Sequence, residues 1–112
     1  MYPDDSTRLR HMLDAAREAL EFAKGKQRAD LDRDRQLALA ILKCIEIVGE
    51  ASAAIGAATT ARHPGIPWRQ IRGMRNRLVH GYYEVDLDVV WDTVAHNLAP
   101  LVTVLERIVP NK

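Results

Sequence analysis

Cysteine is nearly absent: Cys44 stands alone among 112 residues. The chain therefore forms no internal disulfide and no cysteine zinc cluster, and its thiol content fits a reducing compartment. No stretch of about 20 apolar residues occurs, and residues 1–10 are polar and charged, without the apolar centre of a secretion signal. A cytoplasmic protein with no membrane association is expected. An excess of one charge is missing as well. The 16 Lys and Arg residues against 15 Asp and Glu leave a formal +1, which removes the basic signature of a stand-alone duplex-binding module and confines any nucleic-acid contact to a local patch. There is no Gly-rich phosphate loop, no Gly-x-Ser-x-Gly and no Cys-x-x-Cys or His-x-x-x-His pair. The four histidines, His11, His63, His80 and His96, fall in different segments without ligand spacing, so neither a metal nor another cofactor is expected.

What is present is a globular composition, 47% hydrophobic and 28% charged, in a length that suits one domain spanning residues 1–112. The apolar spacing is helical throughout. Leu9, Leu13, Ala16, Leu20 and Ala23 recur at steps of four and three, predicting a helix over residues 6–24 that Asp4, Asp5 or Ser6 starts and Gly25 ends. Residues 26–35 read as a connector. A second helix is expected over residues 34–58, with Leu37, Ile41, Cys44 or Ile45, Val48, Ala51 and Ile55 on one stripe. Leu39, Leu42 and Ile47 give it a second apolar face, for a central position or a partner subunit. The segment His63-Pro64-Gly65-Ile66-Pro67 breaks the chain, and Pro67 suits the first position of a third helix, residues 67–79, closed at His80-Gly81 by a left-handed glycine. Asp86 caps a fourth helix carrying Leu87, Trp91, Val94, Leu98, Leu101, Leu105 and Ile108, kinked near residues 97–100 by Pro100. Strand-like alternation of useful length is missing. The expectation is an all-α, up-and-down bundle of four to five helices.

Chemistry concentrates in the third helix. Arg69, Arg72, Arg75 and Arg77 place four arginines in nine residues of an otherwise neutral chain. A solvated helix face accounts for most such clusters. Arg75 is different, because it follows Ile71 by four and precedes Leu78 by three, which sets a guanidinium on the apolar face where it needs a partner, a ligand or an interface. His80 lies five residues on, about 140° around an ideal helix, so the two converge only if the chain unwinds at residues 79–81 or two subunits face each other. Asn76 and His80, four apart, would share a helical face. An arginine and a histidine placed together on a phosphodiester have defined roles: the guanidinium grips phosphate oxygens and the imidazole moves protons near neutral pH. Such a pair cleaves RNA without metal, through attack of the ribose 2′-hydroxyl on its own phosphate.

The run Arg75-Asn76-Arg77-Leu78-Val79-His80-Gly81-Tyr82 resembles the Arg-x4-His-x-Tyr signature of the HepT toxins, a branch of the HEPN-domain ribonucleases. Similar stretches flank it at Ile47-Val48-Gly49-Glu50-Ala51, at residues 67–74 and at Val85-Asp86-Leu87 with Trp91. The resemblance implies a homodimeric bundle in which two Arg-x4-His motifs meet in a cleft. Arg75 and His80 would be the catalytic pair, Asn76 the polar residue beside them, and Glu50 an acid that supports Arg75 or His80, unless it is a plain surface carboxylate. It also implies a partner, a nucleotidyltransferase antitoxin of the MNT type that transfers AMP to the motif tyrosine, here Tyr82. Attached AMP would then occupy the basic groove of Arg72, Arg75 and Arg77 as a product mimic. Tyr83-Glu84 departs from the pattern: it offers a second hydroxyl and sets a carboxylate beside the site.

Three functions compete on these residues. A metal-independent ribonuclease toxin acting on tRNA or mRNA uses the polar set Arg75, Asn76 and His80, which a scaffold has no need of. A non-catalytic dimeric partner would instead present nucleotide or substrate to a nucleotidyltransferase. A helical dimer without any nucleic-acid role is the third.

Overall fold

The structure, a computed structural model, describes residues 4–80 and 84–110, with Arg75, Val79 and His80 described by their backbone. Helix α1 (Asp5–Ala23) starts where Asp4 accepts the Thr7 N–H at 2.8 Å and ends at Gly25, whose φ of +74° lies in the left-handed region that favours glycine. Its buried face is wider than a single stripe, because Met12, Ala15 and Ala19 join Leu9, Leu13 and Ala16 inside.

The expected connector contains a helix of its own, α2 (Arg28–Arg33). Its start is a local device: the Gln27 N–H donates to the Asp30 carboxylate at 2.7 Å. One apolar residue, Leu31, anchors it in the core at 2% exposure. Asp34 then caps α3 (Arg35–Ala54) by accepting from the Leu37 N–H at 3.0 Å.

Helix α3 does not run on to residue 58. It stops at Ala54, Ile55 is extended, and a separate short helix, α4 (Ala57–Arg62), begins after Gly56. The break is held by side chains from two other helices. Arg8 donates to the Ala54 carbonyl at 3.0 Å, and Arg72 donates to the carbonyls of Ser52 and Ile55 at 3.1–3.3 Å. On the α4 side the Asp5 carboxylate accepts from the Gly56 N–H and, at 2.6 Å, from the Thr59 hydroxyl. Cations thus meet the carbonyl end of one helix and an anion meets the N–H end of the next, as their dipoles favour. These bonds hold the Asp5 carboxyl below its ordinary 3.8, the Thr59 hydroxyl being the largest cause.

Helix α5 (Trp68–Leu78) follows Pro67 directly. Trp68, Ile71, Met74 and Leu78 are buried, and the Trp68 indole N–H donates to the His63 carbonyl at 3.0 Å. Beyond Leu78 the chain becomes extended: β1 (Val79–His80) pairs antiparallel with β2 (Glu84–Val85), Val79 opposite Val85 and His80 opposite Glu84. Two-residue strands are too short for alternation to reveal.

Asp86 caps α6 (Leu87–Asp92), accepting from the Val89 N–H at 3.1 Å. A widened π-helical turn, Thr93–Asn97, then leads into α7 (Leu98–Ile108). The irregularity lies one turn before Pro100, where a regular helix would need the proline N–H to satisfy His96. The apolar stripe survives it: Val94, Leu98, Leu101 and Leu105 are buried and Leu87, Trp91 and Ile108 half-buried.

The fold is all-α, with α1 packed on α3 and α7, α5 on α3, and one contiguous apolar core between them. Ion pairs Arg17–Glu106 at 2.6 Å and Arg28–Asp88 at 2.7 Å tie α1 to α7 and α2 to α6, and Arg10 donates to the Pro110 carbonyl. Of the second face of α3, Leu42 is buried and Ile47 half-buried, while Leu39 is 43% exposed. Cys44 is buried in the core, and burial pushes its thiol up, with the Glu18 carboxylate adding to the effect. No described helix is long and apolar enough to cross a membrane.

Candidate active site

Helix α5 is fixed from one side and polar on the other. Its buried residues Trp68, Ile71, Met74 and Leu78 bind it to the bundle, and Arg69, Gln70, Asn76 and Arg77 are exposed. Its approach to α3 is close. A Cβ placed on Gly49 would lie 3.5 Å from the Ile71 carbonyl oxygen, in ordinary van der Waals contact.

Arg75 belongs to the final turn of α5, whereas His80 is the second residue of β1. The backbone leaves the helix after Leu78, and the Leu78 carbonyl accepts from the Asp86 N–H at 2.7 Å instead of from a further helical turn. Of the two routes by which the motif pair could converge, unwinding of the chain is therefore present in the backbone. The same break corrects the expectation that Asn76 and His80 share a helical face, because His80 is not helical. Asn76 remains exposed on α5. Glu84 is the register partner of His80, a pairing across four residues that the sequence suggested only as proximity. The left-handed closure expected at Gly81, and both Tyr82 and Tyr83, lie outside the described residues.

The two flanking arginines differ. The Arg72 guanidinium closes the carbonyl end of α3 and lies 5.9 Å from the centre of the Trp68 ring, a cation–π distance. It therefore has a structural task that its place in an arginine cluster did not reveal. Arg77 is exposed and lines a cavity of about 420 Å³ between α5 and the widened turn. Glu50 is exposed near the end of α3, next to Gly49. Among the described residues no group of three His, Cys, Asp or Glu side chains is placed to hold a metal ion.

Comparison with known proteins places this arrangement. Residues 12–108 match the family described as ribonuclease HepT-like. A protein of Thermococcus cleftensis named as a probable ribonuclease HepT is 37% identical over 75 residues, covering 67% of this chain and 68% of its own. A Caldanaerobacter subterraneus subsp. tengcongensis protein named as a candidate RNase is 31% identical over 93 residues, covering 83% of each chain. A third relative, from Methanocaldococcus jannaschii, has a name joining gamma-glutamylcyclotransferase to a candidate RNase. It is 28% identical over the whole of this chain and 52% of its own. No solved structure matches. The match over residues 12–108 includes α5, β1 and β2 with the Arg75-to-His80 motif between them, and the chain belongs to the HepT-like ribonuclease family.

Proposed function

We propose that this protein is an endoribonuclease toxin that cuts RNA without a metal, using Arg75 and His80. The observation that carries the reading is the end of α5 at Leu78, which sets His80 on an extended segment rather than around the helix from Arg75. In the proposed reaction an imidazole takes the proton of the ribose 2′-hydroxyl, whose oxygen forms a bond to the adjacent phosphorus. The bond from phosphorus to the 5′-oxygen breaks, that oxygen receives a proton, and a 2′,3′-cyclic phosphate remains. Arg75 grips the phosphate oxygens as negative charge builds on them, and Asn76 supplies a further hydrogen-bonding group. Glu50 supports the pair from α3, and Arg77 extends the basic face toward flanking phosphates.

Two copies of the chain form the working unit, their motifs meeting across a cleft. A nucleotidyltransferase antitoxin silences it by transferring AMP from ATP to the Tyr82 hydroxyl, with release of pyrophosphate. The added phosphodiester and nucleoside then block the basic cleft by size and by charge.

The test has two arms. Purified protein is expected to cut RNA in the presence of EDTA and to leave 2′,3′-cyclic ends, with activity lost in His80→Ala. Equal cleavage by His80→Ala removes the catalytic assignment. Incubation with the nucleotidyltransferase and ATP should add AMP-sized mass to the tryptic peptide that begins at Leu78, and Tyr82→Phe should abolish the addition. Mass retained in that variant moves the acceptor to Tyr83.

A further inference from the structure

We infer that the cavity between α5 and the widened turn is a base-reading pocket, which receives one unstacked adenine of the RNA beside the cut; this rests on the ribonuclease reading above. Its volume of about 420 Å³ falls in the range of small-molecule sites and leaves room for a nucleoside. Met74 and Leu101, 7% and 5% exposed, form part of the floor. The exposed side chains of Gln70, from α5, Asn97, from the widened turn, and Arg77 line it as well.

This combination selects a class of ligand. A flat π-face is met by apolar carbon and the soft thioether of Met74. The edge of a base needs donors and acceptors together, which a carboxamide presents side by side, and Asn or Gln fits the N6 and N7 edge of adenine in this way. The charged side chains of the lining are Arg77 and Asp92, whose carboxylate lies 3.7 Å from the His96 imidazole, and the phosphate of the same nucleotide would sit at Arg77. A simple anion has no use for the apolar floor, and an acyl chain has none for two amides. Sequence-specific readers of RNA take unstacked bases into such pockets.

The backbone supports the same assignment. His96 and Asn97, both on the pocket lining, belong to the five-residue widened turn, and a regular helix would rotate them to other positions. Turns of this kind interrupt the hydrogen-bond ladder and recur at functional sites. In sequence Arg77 is two residues after Arg75 and three before His80, so the lining and the motif share the C-terminal end of α5. A base held in the pocket therefore fixes the register of the strand at the proposed catalytic pair.

Methyl resonances give a direct test, because the chain has three methionines and Met12 is fully buried in the α1 core. Full-length His80→Ala protein, labelled at the methionine methyl groups, is titrated with 5′-AMP, 5′-CMP and inorganic phosphate. The Met74 signal is expected to move saturably with 5′-AMP, several-fold more weakly with 5′-CMP and not with phosphate, while Met12 stays fixed. The double variant Gln70→Ala with Asn97→Ala, both on exposed side chains, should weaken 5′-AMP binding at least tenfold. No shift of Met74 overturns the proposal, as does an equal response to phosphate, which makes the site one for anions. A Met74 shift that depends on protein concentration without nucleotide assigns the cavity to a second copy of the chain and overturns it too. In parallel, wild-type protein and the double variant are given oligonucleotides with adenine or cytosine at each position beside the cut. The variant should lose the preference, cutting the adenine oligonucleotides no faster than the cytosine ones. Cleavage without 5′-AMP binding defeats the pocket and leaves the ribonuclease reading intact, whereas binding without cleavage defeats the ribonuclease reading alone.

Discussion

Helices α3 and α5 end in opposite ways. The last carbonyls of α3 are taken by guanidinium groups from Arg8 and Arg72, and the next helix starts on the carboxylate of Asp5. At the end of α5 the Leu78 carbonyl is taken by a backbone N–H, that of Asp86, and the chain runs straight into the short ribbon of β1 and β2. The first arrangement spends charged side chains on closing a break. The second gives the Leu78 carbonyl a main-chain donor and leaves polar residues of α5, Asn76 and Arg77 among them, exposed. Clustered arginines therefore do not share one purpose, and what each is bonded to decides it.

The comparison can be broken most severely at β1. His80→Ala is expected to slow RNA cleavage by about 10²- to 10⁴-fold, the usual loss for a removed general base, with the thermal midpoint unchanged. A variant that unfolds early but cleaves normally per folded molecule would make this end structural like the other. Arg77→Ala should act next most strongly. Losing one phosphate contact is expected to weaken RNA binding and lower the slope of log affinity against log salt by about one, again without a change in melting.

Asp5 tests the opposite end. Asp5→Ala removes the cap on α4 and is expected to lower the thermal midpoint by a few degrees while RNA cleavage per folded molecule stays constant. Its acid dependence follows from the lowered carboxyl pKa. The folded state favours the ionised form, so the stabilisation is fully present above the ordinary 3.8 and is lost as the pH falls through the lower folded value. Unfolding profiles below pH 4 should accordingly flatten in Asp5→Asn. The smallest effect is expected at Gly49→Ala. The added Cβ finds van der Waals space against α5, and the gain in helix propensity should stabilise the protein by about 0.5–1 kcal/mol in chemical denaturation.

The parts of this fold that are legible in the sequence are those decided locally. The period of Leu9, Leu13 and Ala16, the caps Asp34 and Asp86, and the stripe from Val94 to Leu105 all act within a few residues. The break after Ala54 is different. Residues 51–58 contain no proline, and the carboxylate that fixes the turn comes from Asp5, 51 positions before Gly56. No local window contains that information. Helix α2 was within reach, since Gln27, Asp30 and Leu31 together give a start signal and an anchor. In the candidate site, Arg75, Asn76 and His80 are legible as a motif, but the structural task of Arg72 depends on where α3 happens to end. The pocket beside Arg77 depends on two helices far apart in sequence.

The single thiol offers a clock for motions of the core. Cys44 lies within the apolar cluster, where burial holds it in the protonated, unreactive form, so an alkylating reagent can capture it only during openings that admit water between the helices. With no second cysteine to compete, the labelling rate counts those openings one residue at a time. Comparing it with and without a nucleotide bound beside α5 would measure how far tension at the rim reaches the centre of the bundle.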